Sequence, residues 1–320
     1  MNFWDKLKKP IFMLAPMEGV TDTVFRQIVA STGKPGVFFT EFVPVDALLS
    51  PQGQKKILDS LKFTEAEKPI VAQIWGIDSE KFYQSAQILS NMGFDGIDIN
   101  MGCPDRNAIK HGACSALIKN PRLAQEIIAA TIRGANGLPV SVKTRIGFHT
   151  LDTENWTRVL LQTPISVLIL HLRTASEKSK VPAHWDQISK VVKIKNELKS
   201  KVLIIGNGDV KTLKEAEEKC RQYKIDGVMI GRGIFENVWL FNKTVKNVLP
   251  EEKISLLIKH LELFKQTWSD KKHFELMKKF VKCYVNNFKG ALESREKLMK
   301  TKTLDELIQT TRKLSTYPIV

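Results

Sequence analysis

Eight short apolar runs rich in β-branched residues recur through the first three quarters of the chain, each separated from the next by a segment with helical periodicity. Their ends fall near Ala15, Thr40, Ile74, Asn100, Lys143, His171, Gly206 and Ile230, at intervals of roughly 24 to 43 residues, which suits a repeated βα unit. Eight units in about 240 residues satisfy a closed (β/α)8 TIM barrel, whereas an open doubly wound sheet needs fewer strands. Helices are expected at Asp78 to Met92, at Pro121 to Ala135 with Asn120 as N-cap, and at Lys211 to Tyr223. Beyond Pro250 no strand-like run appears, and Lys, Glu, Leu and Phe repeat at helical spacing. The expected organisation is therefore an α/β barrel over residues 1–249 followed by a small all-helical domain over 250–320.

The uncommon polar residues sit just past these strands, at the rim where such barrels build their sites. Ile205-Gly206-Asn207-Gly208-Asp209 and Ile230-Gly231-Arg232-Gly233 follow the seventh and eighth strands. Glycines there admit close backbone approach and Arg232 adds a bidentate cation, so the pair suits a phosphorylated cofactor, with tight turns as the plainer role of either alone. The alternation of Val140-Ser141-Val142-Lys143 points Lys143 into the barrel mouth, where a lysine calls for an anion opposite. Gln73, Asn100 and His171 can hydrogen-bond a ring edge or phosphate, or serve ordinary structural roles. Cys103 lies in Asn100-Met101-Gly102-Cys103-Pro104, ahead of a polar stretch from Asp105 to Gly112 that reads as a mobile loop. A thiol there can act as a general acid, or be an incidental loop cysteine. Cys114 reads as packed, and Cys220 and Cys283 as structural residues on helices.

The net charge of +15, from 49 basic and 34 acidic residues, favours a polyanionic partner such as nucleic acid. Lys271, Lys278, Lys282 and Lys289 would share one face if a continuous helix carried them, with Phe274, Met277, Val281, Tyr284 and Phe288 on another. Four unpaired-looking cysteines and an amino terminus unlike a signal peptide fit a reducing cytoplasm, and the only early apolar run is too short to span a bilayer. No metal site is expected, because Cys103 and Cys114 are too far apart in sequence for a zinc knuckle.

Taken together, Ala15-Pro16-Met17-Glu18-Gly19-Val20-Thr21-Asp22, Val71-Ala72-Gln73, Asp98 to Pro104, Val142-Lys143-Thr144-Arg145, His171-Leu172-Arg173-Thr174, Asn207-Gly208-Asp209 and Met229 to Gly233 resemble the tRNA-dihydrouridine synthase family from Leu14 to about Lys300. The resemblance implies an FMN-binding barrel, with tRNA lying in a basic groove between it and the helical domain. It implies that Pro16, Met17 and Glu18 line the flavin ring and that Gln73 and Lys143 contact its edge. His171, Asn207, Gly208, Asp209, Gly231 and Arg232 would serve the ribityl and phosphate end. Cys103 matches the family's catalytic cysteine, the proton donor to uracil C5 once hydride has reached C6, and NADPH is the implied reductant. Asn100 would hold the uracil edge, with Arg145, Lys278 and Lys282 on the substrate side. A monomer is the default. The sequence departs from the family pattern at Asn107, where a basic residue is common, at Leu172 and Cys114, where glycine is usual, and in the loop Ala175 to Ala183. Two other readings are a flavin barrel acting on a free pyrimidine or other small molecule, and a tRNA-binding protein without chemistry.

Overall fold

The computed structural model describes residues 2–315, so Met1 of the expected barrel domain and residues 316–320 of the expected helical domain lie outside the described residues. Nine parallel strand segments make one sheet: β1 (Ile11–Leu14), β2 (Phe38–Phe39), β3 (Val43–Pro44), β4 (Ile70–Trp75), β5 (Gly96–Met101), β6 (Val140–Arg145), β7 (Val167–His171), β8 (Leu203–Asn207) and β9 (Gly227–Ile230). The order is β1-β9-β8-β7-β6-β5-β4-β2, with β3 also paired to β4. A bridge between Met13 and Val37, with the Gly36 N–H donating to the Phe12 carbonyl at 2.7 Å, joins the two edges into a barrel.

The strand expected to end near Thr40 is in two pieces, β2 and β3, which is why nine segments stand for eight strands. Between them the Thr40 hydroxyl, 3.0 Å away, accepts the Gln73 N–H that a strand carbonyl would otherwise take, and Pro44 has no N–H to continue the ladder. The other expected strand ends fall within two residues of those observed.

Alternation sorts the strand residues into two layers. Ile11, Met13, Val71, Val167, Ile169, Ile205 and Met229 fill the barrel interior above Trp4, while Phe12, Leu14, Ile97, Val142 and Leu168 pack outward against the helices. On β4, β5 and β6 the inward sequence turns polar, giving Gln73, Asp98, Asn100, Ser141 and Lys143. That swap from hydrocarbon to hydrogen-bonding groups fixes where the site can be.

The helices are α1 (Thr23–Thr32), α2 (Val45–Leu49), α3 (Pro51–Ile57), α4 (Ser79–Asn91), α5 (Arg106–Lys110), α6 (Pro121–Gly134), α7 (Thr153–Leu161), α8 (Ile188–Glu197), α9 (Leu213–Tyr223), α10 (Pro250–Trp268), α11 (Glu275–Tyr284), α12 (Ala291–Met299) and α13 (Leu304–Ser315). Asp78 caps α4, and Asn120 caps α6 by accepting the Leu123 N–H at 3.2 Å. The polar stretch after Cys103 forms the short helix α5, capped by Asp105, and not the irregular loop its composition suggests.

From α10 onward the described residues form helices joined by short connections, with no strand among them, and they share a continuous apolar core with the barrel. Phe25 of α1 stacks on Phe280 of α11 at 4.9 Å between ring centroids. Asp22, the N-cap of α1, also accepts the Trp268 indole N–H at 2.8 Å and the Lys272 ammonium at 3.0 Å. The continuous helix required to align four lysines does not form. Chain turns at Ser269–Lys271 and after Tyr284 leave Lys271 and Lys289 off α11, while Met277, Val281 and Tyr284 are buried as expected.

Candidate active site

A cleft of about 530 Å³ opens at the carboxyl ends of the strands. Pro16, Met17, Lys143, His171, Asn207, Gly208, Asp209, Gly231 and Arg232 line it, together with Arg173 and Lys211. Register explains the gathering: His171 of β7 lies beside both Arg145 of β6 and Asn207 of β8, so successive strand ends deliver their polar residues at one height. Gly208 has φ of +143°, and a side chain there would meet Ala183 Cβ at 2.7 Å, so the turn after β8 requires glycine.

The cleft is electropositive. Among the described residues Lys143 donates one hydrogen bond, to Asn207 Oδ1 at 3.4 Å, and burial pulls its ammonium down to about 8. Asn207 is held in turn by donating to the Met229 carbonyl at 2.8 Å. Arg173 is buried, donates to the Val181 carbonyl at 2.6 Å and to His171 Nε2 at 3.1 Å, and pairs with Asp209. A guanidinium can only donate, so His171 Nε2 accepts. Burial first, and then the surrounding Arg and Lys charges, hold His171 well below the usual imidazole range and therefore neutral. Asp209 also accepts the Ala183 N–H at 2.9 Å and faces Arg232 at 3.4 Å. Its carboxylate orients two cations instead of meeting an anion itself. Arg173 is a cleft residue that sequence reasoning noted on the rim but did not place in the site.

Beneath the cleft a chain of hydrogen bonds runs to the cysteine. Asp98 is fully buried, accepts the Gln73 Nε2–H at 2.6 Å and bonds Ser141 Oγ; burial raises its carboxyl to about 6. Gln73 then has its Oε1 free to accept from Asn100 Nδ2 at 3.0 Å. Asn100 Oδ1 accepts the backbone N–H groups of Gly102 and Cys103, both at 3.0 Å. The Asp98 carboxylate thereby fixes which way each amide points, and the last one sets the turn that carries Cys103. Gln73 and Asn100 are thus buried under the cysteine turn and do not line the cleft. Arg145, also buried, spends its donors on the carbonyls of Gly102 at 2.7 Å and of Thr174 and Lys178 at 2.9 Å.

Cys103 is half-buried and Cys114 buried, and both are free thiols. The hydrogen bond from Cys114 pulls the Cys103 thiol down to about 7, and the same bond together with burial pushes Cys114 up. Cys220 and Cys283 are each raised to about 12 by burial within α9 and α11.

Glu18 is exposed on the turn after β1 and lies outside the cleft lining. Its neighbour Gly19 donates its N–H at 2.5 Å to Glu41, a buried carboxyl that burial raises to about 7 despite the nearby Lys272 ammonium. No sequence motif singled out Glu41; its only signal was a charged residue next to a strand end. Lys278 is turned inward: its ammonium donates to the Thr301 carbonyl at 2.7 Å and to Glu275 at 3.0 Å. Lys282 is exposed. Among the described residues there is no cluster of three or more His, Cys, Asp or Glu suited to a metal, and no helix long and apolar enough to cross a membrane.

Fold and site together define a (β/α)8 barrel protein with a basic, anion-accepting mouth and a thiol on its rim. The model of the dihydrouridine synthase family matches residues 13–317, and the chain belongs to that family. It is 44% identical over 307 residues to a probable tRNA-dihydrouridine synthase of Staphylococcus aureus, covering 95% of this chain and 93% of that protein. It is 42% identical over 308 residues to the probable tRNA-dihydrouridine synthase 2 of Bacillus subtilis, covering 96% and 94%. Among solved structures, morphinone reductase superposes with a TM-score of 0.52 at 13% identity, over 75% of this chain and 87% of that one. The old yellow enzyme homologue from Zymomonas mobilis gives 0.50 at 13% identity, over 75% and 91%. These two likenesses establish the barrel fold.

Proposed function

We propose that this protein reduces uridines of tRNA to 5,6-dihydrouridine, with bound FMN as cofactor and NADPH as reductant. The observation that carries the reading is Cys103: a half-buried thiol lowered to about 7, held by Asn100 on the same rim as an electropositive cleft.

The residues present fit a flavin mononucleotide. Lys143 is a half-buried cation that, among the described residues, donates only one long hydrogen bond, so an anionic group in the cleft supplies what it lacks. Arg232 and Arg173, already oriented by Asp209, suit a phosphate, and the Gly208 and Gly231 backbones admit close approach. Pro16 and Met17 offer an apolar wall to a ring, with neutral His171 beside the ribityl and phosphate end. When bound, the flavin supplies hydride for uracil C6 after taking it from the nicotinamide.

The protein's own part is positioning and proton supply. Cys103 Sγ holds the proton that goes to C5, and Asn100, buried beneath it, keeps its turn in place and so acts on the uracil only through the cysteine it positions. Extruding the base costs a few kcal/mol, which contacts to tRNA phosphates offset. The overall charge of +15 and exposed Lys282 support that partner, whereas Lys278 and Arg145, being internally bonded, serve through the backbone they hold.

Anaerobic incubation of FMN-loaded protein with NADPH and unmodified tRNA tests this, read by mass spectrometry for a gain of about two mass units on a uridine. Cys103→Ala is expected to slow that gain by about 10²–10⁴-fold. Flavin oxidation by free pyrimidines with tRNA unchanged overturns it in favour of a small-molecule enzyme, and failure to bind FMN overturns the flavin assignment.

A further inference from the structure

Cys114 is left over by that chemistry, yet it is built against Cys103. The Ser115 N–H donates to the Cys103 carbonyl at 3.3 Å, so the backbones of the two cysteines run side by side. Cys103 packs on a small cluster formed by Ala108, Ala113 and Cys114, as does Trp75. Cys114 sits at φ of +53°, a left-handed conformation that suits glycine far better than cysteine, so the thiol is kept where the backbone disfavours it. One sulfur is accessible and the other is sealed in, which is the arrangement of an attacking and a resolving thiol.

We propose that Cys103 and Cys114 form an oxidative modification site whose substrate is a hydroperoxide and whose product is a 103–114 disulfide. The Cys103 thiolate attacks a peroxide oxygen, the O–O bond breaks, and the departing oxygen takes a proton and leaves as water or an alcohol. Sulfur is oxidised by two electrons to a sulfenic acid and the peroxide is reduced by two. Cys114 sulfur then attacks the sulfenic sulfur; the S–O bond breaks, the S–S bond forms, and the hydroxyl leaves as water with the Cys114 proton. The net change in the protein is the loss of two hydrogens. The lowered Cys103 thiol supplies the thiolate at neutral pH, and the packing of Cys103 against Cys114 keeps the second sulfur at hand for the second step. Cys220 and Cys283, buried on separate helices and raised to about 12, stay reduced.

Full-length protein is treated with hydrogen peroxide at neutral pH, alkylated and digested with trypsin. The cysteines fall on separate peptides, residues 82–106 and 111–119. The expected result is a linked pair about two mass units below the sum of the two peptides, released by dithiothreitol, with Cys220 and Cys283 fully alkylated. Cys114→Gly, which relieves the positive φ and so retains the fold, is expected to lose the linked pair and to carry Cys103 on to sulfinic acid, a gain of about 32 mass units. Sulfinic acid at Cys103 in the unaltered protein, formed as fast as in Cys114→Gly and with no linked pair, overturns the proposal. The readout uses neither flavin nor tRNA, so it stands or falls apart from the proposed activity.

Discussion

Two residues set protonation in and around the site, and neither is in a recognisable motif. The Cys114 hydrogen bond stabilises the Cys103 thiolate, so a general acid working from Cys103 loses its proton as pH rises through about 7. Reduction of tRNA by pre-reduced protein is therefore expected to fall above pH 7. In Cys114→Gly that limb should move up by roughly one unit or more, toward an ordinary thiol. Glu41 works in the opposite sense to most carboxylates. Its folded value of about 7 lies above that of the unfolded chain, because it is buried, so the folded state holds a proton across the window between about 4 and 7 that the unfolded state has released. Stability at this residue is lost as pH rises through that window. Glu41→Gln should leave stability unchanged below pH 4 and raise it by about 2–3 kcal/mol above pH 7, measured by urea unfolding at both values. Glu41 escaped the sequence reading, and Asp98 and Arg173 stood in its motifs without a role, because the meaning of all three comes from partners far along the chain. Asp98 acts through Gln73 and Ser141, Glu41 through Gly19, and Arg173 through Val181 and Asp209.

Element by element, the strand ends and the cap of α6 were legible, since they follow from local alternation and from one side chain reaching a backbone N–H three residues on; Asp78, read as the first residue of its helix, is instead the cap of α4. The split of the second strand was not legible, because it depends on the Thr40 hydroxyl meeting β4. Nor was the fate of the lysine face, since the carbonyl that takes Lys278 belongs to Thr301, beyond α12. Asp22 shows how one cap can serve two elements. It receives the Phe25 N–H of α1 at 3.0 Å and also the Trp268 and Lys272 donors from the carboxy-terminal helices. Asp22→Ala is expected to lower stability by about 2–4 kcal/mol in equilibrium denaturation. Asp78→Ala, which removes an exposed cap within α4's own first turn, should lower it by only about 1 kcal/mol.

For the whole molecule, the core that runs unbroken from barrel to carboxy-terminal helices makes one cooperative unit of two sequence regions. Thermal unfolding is expected as a single calorimetric transition. Ending the chain before Pro250 strips Phe25 and its neighbours of their cover, at about 1.5–3 kcal/mol per large side chain, and should leave an aggregating product where a folded barrel would stay soluble. The ring of strands itself is unevenly knit: most neighbours share a run of paired residues, but β1 and β2 meet through one bridge at Met13 and Val37. The barrel thus has a clasp, and α1, the segment that runs from one side of the clasp to the other, is the helix on which the carboxy-terminal bundle leans. Sub-global opening should begin there, with the amides of Leu14 and Gly36 exchanging hydrogen ahead of those in β5 to β8. A bundle whose outer surface meets a large ligand would then act at the same time as a strap across the weakest joint of its own barrel, so occupancy on the outside would be felt as slower exchange at a seam on the inside.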